Sequence, residues 1–178
     1  MSIEPVLIAG EWRPADSTGT FQADNPTTRE ALPASYPVSS WADCEASLAA
    51  ADAAFVEMRS MSGEQIAEFL EAMAKGVEAR ADDLVDMAHA ETALPKSPRL
   101  ADVELPRTTG QLRQAAAAAR SGNWKHPVVD TANDIRSCYG PLGPVCVFGP
   151  NNFPFAFGSA SGGDFAAAIA AGNPVIAK

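Results

Sequence analysis

Two polar residues stand where chemistry could be done. Asn152 lies in the loop Gly149-Pro150-Asn151-Asn152-Phe153-Pro154, directly after the continuous apolar run PVCVF at 144–148. A side-chain amide fixed between Asn151 and Phe153-Pro154 can aim an N–H donor into a cleft, which is what an oxyanion hole needs. Lys178 follows a second apolar run, PVIA at 174–177. Its ammonium can donate to hydroxyl groups and tolerates a phosphate nearby. Each residue also has a plainer use. Asn-Asn is ordinary turn chemistry, and a lysine at a strand end can simply be solvated. Position alone leaves both readings open.

The three cysteines are the other candidates. Cys44 falls on the apolar stripe of a predicted helix, Cys146 lies inside an apolar strand, and Cys138 sits in an extended segment beside Arg136. Buried thiols have raised pKa values and are usually inert, so all three read as structural. The two histidines, His89 and His126, are far apart in sequence and no CxxC exists. Neither a zinc site nor a Ser-His-Asp triad is expected.

The elements that must position Asn152 and Lys178 can be read from the same stretch. Gly158–Ala171 is rich in small residues and reads as a helix capped by Gly172-Asn173. With the two apolar runs it makes a strand–loop–helix–strand unit of βαβ length. Neither run alternates with polar residues, as expected for parallel strands buried on both faces. Ligands bind at the carboxyl ends of strands in open α/β sheets. Asn152 and Lys178 should therefore share one edge of the sheet, on neighbouring strands if the crossover is simple. In the usual dinucleotide fold an acidic residue near the position of Lys178 bonds the adenosine ribose, and a lysine there argues that NADP is accepted. No GxGxxG follows the first strand. GSASGG at 158–163 has the wrong spacing, and its glycines are expected to permit close helix–sheet packing.

Upstream, residues 5–24 read as short β structure, with PVLIAG and TFQAD flanking a turn-rich loop from Arg13 to Gly19. NPTTRE is a turn, and SYPVSS leads into helices. The first helix should start at Ser40 and carry Trp41, Cys44, Leu48, Ala51 and Phe55 on one face. Ser62 and Gln65 form a capping box, with Met61 and Ile66 placed as its staple. Ile66, Phe69, Leu70, Met73 and Val77 continue as a stripe, and helical patterning persists to about Glu91. Ser97-Pro98 is another helix start, Pro106 should kink or break that helix, and Gln111–Arg120 is strongly helical. Ser121-Gly122-Asn123 stops it. Residues 127–139 should be extended around a turn at Asn133-Asp134.

The net charge is -9, with a pI of about 4.6 and no compensating Lys/Arg cluster. Nucleic acid and anionic membrane are therefore poor partners. No apolar stretch has the length of a transmembrane helix. The opening MSIEPVLIAGEW lacks the layout of a signal peptide, and three sparse cysteines suit a reducing compartment. A cytoplasmic location is expected.

The segment GPVCVFGPNNFPFAFGSASGGDFAAAIAAGNPVIAK resembles the aldehyde dehydrogenase superfamily around its Pro-Trp-Asn-Phe-Pro signature and on to its cofactor lysine. IAGEW, NPTT, AADAAF and ETALPK also fit, in order, so the likeness covers essentially the whole chain. RTTGQLR together with GGDFAAAIAAGNPV is most similar to the branch that oxidises 2,5-dioxovalerate (α-ketoglutarate semialdehyde). The resemblance implies an α/β fold, the N-terminal portion of the family's fold, with helices followed by the start of a Rossmann-like parallel sheet. In it, residues 1–126 are strands and helices of the cofactor-binding domain. Residues 127–140 are an extended segment of the oligomerisation region, and 141–178 are the first βαβ unit of the sheet.

The resemblance also assigns roles. Asn152 is similar to the oxyanion-hole asparagine. Phe148, Gly149, Pro150 and Asn151 resemble the strand-end segment beside the nicotinamide half of NADP or NAD, and Lys178 the lysine that bonds the adenosine ribose. Phe153 and Phe157 resemble apolar walls of the aldehyde tunnel. A homo-oligomer, dimer or tetramer, is implied. Asn151 departs from the usual tryptophan, and Ala93 from the glycine of Glu-Thr-Gly. The family's nucleophilic cysteine, general-base glutamate and cofactor helix all fall downstream of the position matched by Lys178. This segment is thus expected to be inactive by itself. Two rival readings are a non-catalytic, truncated nucleotide-binding module and an interaction protein that pairs subunits through 127–139. A two-strand parallel sheet leaves an edge and apolar faces open, which argues against a self-sufficient module.

Overall fold

The computed structural model describes residues 3–178. Strands β1 (Val6–Ile8) and β2 (Glu11–Arg13) form an antiparallel hairpin. Its two-residue turn is Ala9-Gly10, both at positive φ, the backbone that lets a tight turn match the strand twist. The loop expected from Arg13 to Gly19 is instead split. Arg13 ends β2, and β3 (Ser17–Phe21) pairs with β4 (Tyr36–Ser39), a strand hidden in what reads as a lead-in to the helices.

Helix α1 (Trp41–Met58) begins after Ser40 as expected, but only the second half of its apolar stripe, Ala51 and Phe55, turns inward. Asp43 and Ala51 are buried, whereas Trp41, Cys44 and Leu48 are exposed. The reason is a buried carboxylate: Asp43 accepts hydrogen bonds from Arg13 Nη2 at 3.1 Å and from the Asp16 amide at 2.8 Å. Those charge-assisted bonds to the strands fix which side of the helix turns inward.

The core is helical. α2 (Gly63–Ala79) starts with both halves of the Ser62–Gln65 capping box formed. It lies against α4 (Leu105–Ser121) and α5 (Gly163–Ala170). Ile66, Ala67, Leu70 and Ala74 of α2 meet Leu112, Ala116 and Ala119 of α4 and Phe165, Ala166, Ile169 and Ala170 of α5. Phe69, expected on the buried stripe, is exposed. Small side chains let α2 and α4 approach closely. A Cβ at Gly63 would overlap the carbonyl oxygen of Ala119. On the rim, Arg113 bonds both carboxylate oxygens of Glu78 and Arg120 bridges Glu64 and Glu71. The hydrogen bonds from these guanidinium groups hold the Glu78 and Glu71 carboxyls below their ordinary range.

A second cluster joins Val85 and Ala88 of α3 (Ala81–Thr92) to Leu100, Leu105 and Phe155. Between α3 and α4 the chain runs through a π-helical segment, Lys96–Glu104, in which Ser97 is still extended. Pro106 then sits in the first turn of α4, but the helix is not broken there as expected: Glu104 and Leu105 keep right-handed helical backbone, and the π-helical segment runs directly into α4.

Strands β5 (Val128–Asp130) and β6 (Ile135–Ser137) form the expected hairpin. Asp130 accepts bonds from the amides of Ala132 and Asn133 across the turn. The expected βαβ unit is present: β7 (Val145–Val147) and β8 (Val175–Ala177) are parallel, with Val145 beside Val175 and Val147 beside Ala177. Two expectations change. The helix is shorter than 158–171, because 158–162 is taken up by a tight turn. The strands are covered on one face by α5, and Cys146 on the other face is exposed rather than buried. Buried Asn173 does more than cap the helix. Its Oδ1 accepts from the amides of Leu142 at 2.6 Å and Gly143 at 3.0 Å, and its Nδ2 donates to Ala168 O. One side chain thereby aligns the entry to β7 with the exit of α5. No helix among the described residues is long and apolar enough to cross a membrane.

Two outcomes follow for the full-length protein. Helix propensity alone favours Ala at position 63, yet Gly63→Ala should destabilise by about 1–3 kcal/mol in urea unfolding, because the α2–α4 contact must open. The Glu71 and Glu78 carboxyls are depressed, so their contribution is present above the ordinary value of 4.5 and is lost as pH falls through the lower folded-state values. Amide-exchange protection in α2 and α4 should drop in that acid window, and less so when Arg113 and Arg120 are both replaced by Ala.

Candidate active site at the carboxyl edge of the sheet

The parallel ladder continues one step beyond the strands. The Lys178 amide donates to Val147 O at 2.9 Å, which sets Lys178 beside the point where the chain leaves β7 for Phe148 and Gly149. Phe148, Gly149, Pro150, Asn151, Asn152 and Lys178 are all exposed. The two strand ends are thus brought together as the βαβ reading expects.

The loop between them is compact. Phe157 N bonds Phe153 O, Gly158 N bonds Phe155 O and Gly162 N bonds Gly158 O, so 153–162 winds as successive turns. The exit from β7 presses onto that coil: a Cβ at Gly149 would lie 2.7 Å from the Ser159 amide nitrogen. A Cβ at Gly158 would lie 2.5 Å from Pro154 O, and one at Gly162 2.6 Å from the Phe157 carbonyl carbon. These glycines serve loop-on-loop packing, not the helix–sheet contact expected of them.

The anchor of this loop is a residue the sequence reading does not single out. Glu104, whose side chain is fully buried, accepts from the amides of Phe155 at 2.8 Å and Ala156 at 3.1 Å through Oε1. Its Oε2 is bonded by Arg99 Nη1. Arg99 Nη2 in turn donates to the backbone carbonyl of Asn152 at 3.0 Å, and its guanidinium lies 4.2 Å from the centre of the Phe153 ring. Arg99 and Glu104 are five apart, a spacing that does not share a face of an α-helix. The π-helical segment brings them together: the Leu105 amide bonds Leu100 O, five residues back. The available signal was a charged Glu flanked by positions that must be apolar. It has no local pattern that announces a partner 51 residues away.

Phe153 is half-buried and Phe157 exposed, and their rings meet edge to face at 5.3 Å. Arg107, from the first turn of α4, lies 5.9 Å from the first ring and 5.2 Å from the second. The Asn152 side-chain amide makes no hydrogen bond among the described residues, while its backbone is fixed by Arg99. This edge can therefore offer an amide N–H to a developing negative oxygen, an aromatic wall, and a cation at the neighbouring strand end. Among the described residues no three His, Cys, Asp or Glu converge to hold a metal ion.

Glu104→Ala in the full-length protein leaves two buried amides without an acceptor and should cost about 2–5 kcal/mol, with Glu104→Gln costing less because its Oε1 can still accept. Amide exchange at Phe155 and Ala156 should accelerate in the alanine variant. Unchanged protection there would mean the carboxylate does not hold the loop.

The model of the Aldehyde dehydrogenase family matches residues 12–178. Alpha-ketoglutaric semialdehyde dehydrogenase 2 of Azospirillum brasilense is 40% identical over 188 residues, covering 100% of this chain and 35% of that protein. Alpha-ketoglutaric semialdehyde dehydrogenase of Acinetobacter baylyi is 34% identical over 175 residues, covering 93% of this chain and 33% of that protein. The structure of succinate-semialdehyde dehydrogenase from Burkholderia pseudomallei superposes with a TM-score of 0.79 at 26% identity, over 97% of this chain and 35% of that one. The chain therefore spans about a third of the length of the relatives it matches. With the sequence match running from the first hairpin to the end of β8, and the fold agreeing with it, this chain belongs to the aldehyde dehydrogenase family.

Proposed function

We propose that this chain is the N-terminal part of an enzyme that oxidises a semialdehyde to its carboxylic acid with NADP or NAD, α-ketoglutarate semialdehyde being the favoured substrate. The observation that carries the reading is the shared carboxyl edge of β7 and β8, with a backbone-anchored Asn152 on one strand exit and Lys178 on the other. Asn152 donates its amide N–H to the oxygen of the substrate carbonyl as negative charge develops there. Phe153 and Phe157 wall the aldehyde on its apolar side. The strand exit at Phe148, Gly149, Pro150 and Asn151 lies along the nicotinamide half of the cofactor, and Lys178 bonds the adenosine ribose.

The dinucleotide fits this edge through Lys178, exposed at the end of β8 where a ribose would sit, beside the exposed exit of β7 at Phe148 and Gly149. When bound, the dinucleotide accepts the hydride released by the substrate. The nucleophilic cysteine and general-base glutamate required for acyl transfer match no position of this chain. Cys44, Cys138 and Cys146 stay outside the chemistry, and as free thiols they suit a cytoplasmic setting.

The division of labour in this reading puts residues 1–126 and 141–178 in the cofactor-binding domain and 127–140 in subunit contact. The β5–β6 hairpin supports that assignment, since Val128, Val129 and Ile135 are all exposed on it. A dimer or tetramer would cover them.

Asn152→Ala in the full-length enzyme should lower kcat by ~10²-fold or more while leaving cofactor affinity near its original value, the scale known for an oxyanion donor. Steady-state turnover and a cofactor titration together check this. Unchanged turnover removes the role assigned to Asn152.

A further inference from the structure

We propose that Arg107 is the specificity-determining residue that receives the distal carboxylate of the aldehyde substrate. The inference rests on the active-site reading above and adds to it the part of the substrate that is not oxidised. Its basis is a contrast between two arginines on the same aromatic pair. Both guanidinium groups lie within the ~6 Å range of a cation over a ring. Arg99, at 4.2 Å from Phe153, is committed: one nitrogen bonds Glu104 and another bonds the Asn152 carbonyl. Arg107, between Phe153 and Phe157, makes no hydrogen bond and no ion pair among the described residues.

Other arginines of the helical block are committed as well, Arg113 to Glu78 and Arg120 to Glu64 and Glu71. Arg29, Arg59 and Arg80 are unpaired as well, but among the described residues Arg107 is the one unpaired arginine that lies over aromatic rings. Its contact with the rings uses none of its N–H donors, which remain available in the fork geometry that pairs with a carboxylate through two parallel bonds. Pro106 in the same helical turn, together with buried Leu105 and Thr108 on either side, fixes the backbone from which Arg107 projects. The aromatic wall then holds the guanidinium against the apolar body of a substrate, so that an acid group at the far end of a short aldehyde meets it.

The substrates named for relatives of this chain share that chemistry. The α-ketoglutaric, succinate and N-succinylglutamate semialdehydes each carry a carboxylate away from the aldehyde carbon. In this reading Asn152 recognises the reacting end and Arg107 the other.

The test uses the full-length enzyme and two aldehyde pairs, α-ketoglutarate semialdehyde against pentanal and succinate semialdehyde against butanal. Arg107→Leu should lower kcat/KM for the carboxylated aldehydes on the order of 10- to 100-fold, mostly through KM, as expected for loss of a hydrogen bond to a charged group. Its effect on pentanal and butanal should be small, and Arg107→Lys should recover part of the loss. An equal loss on both members of each pair would mean that Arg107 only packs the rings, and would overturn the assignment. So would a wild type that prefers carboxylated aldehydes and a Leu variant that keeps that preference, although the substrate reading would then survive. A wild type that oxidises charged and uncharged aldehydes equally well overturns both.

Discussion

The buried carboxylate of Glu104 is the constraint on which the rest of this structure hangs. A fully buried acid must find donors on both oxygens, since an unpaired charge in the interior is far costlier than a lost packing contact. Glu104 finds them in two places that are remote in sequence: the Phe155 and Ala156 amides after β7, and the Arg99 guanidinium one π-turn earlier. The helical block and the strand-exit loop are thereby locked to each other. The loop cannot drift without stranding two amides, and Arg99 cannot leave without exposing the acid. Because Arg99 also grips the Asn152 carbonyl, the backbone of the site inherits its position from the core.

That lock works because the surrounding packing is rigid. The α2–α4 contact mixes Leu70 and Leu112 with alanines and Gly63, so the two helices sit close and leave little room for sliding. α5 lies on the same cluster and carries β8 with it, while Asn173 ties the end of α5 to the entry of β7. Each strand of the small parallel sheet is thus held at a fixed offset from the helices. The β5–β6 hairpin, by contrast, leaves Val128, Val129 and Ile135 exposed.

The electrostatics of the edge are local. The chain as a whole is acidic, yet Lys178, Arg99 and Arg107 all lie around the strand exits. Arg99 is neutralised by Glu104, whereas Arg107 is cushioned only by rings. Two of these cations, Arg99 and Arg107, lie over the Phe153–Phe157 pair.

Much of this was written in the sequence. The βαβ unit, its parallel order and the convergence of Asn152 and Lys178 on one edge follow from two unbroken apolar runs separated by a small-residue stretch. The capping box at Ser62 and the turn at Asn133-Asp134 follow from local rules whose partners are within a few residues. What failed had a common cause. The first half of the α1 stripe lost to Asp43, the expected burial of Cys44 and Cys146 lost to exposed faces, and Gly158 and Gly162 serve the loop rather than the helix. Each depends on what lies across space, which periodicity does not encode. Glu104 is the clearest case. Neither its burial nor its bonds to a loop 51 residues on are visible until the π-helical segment aligns it with Arg99 and the packing of α4 brings the loop within reach. The sequence by itself determined the elements, their order and the residues able to do chemistry. Only the tertiary structure decided which charged groups are spent on holding the site and which is left free to meet a ligand, because that depends on long-range pairing of buried polar atoms.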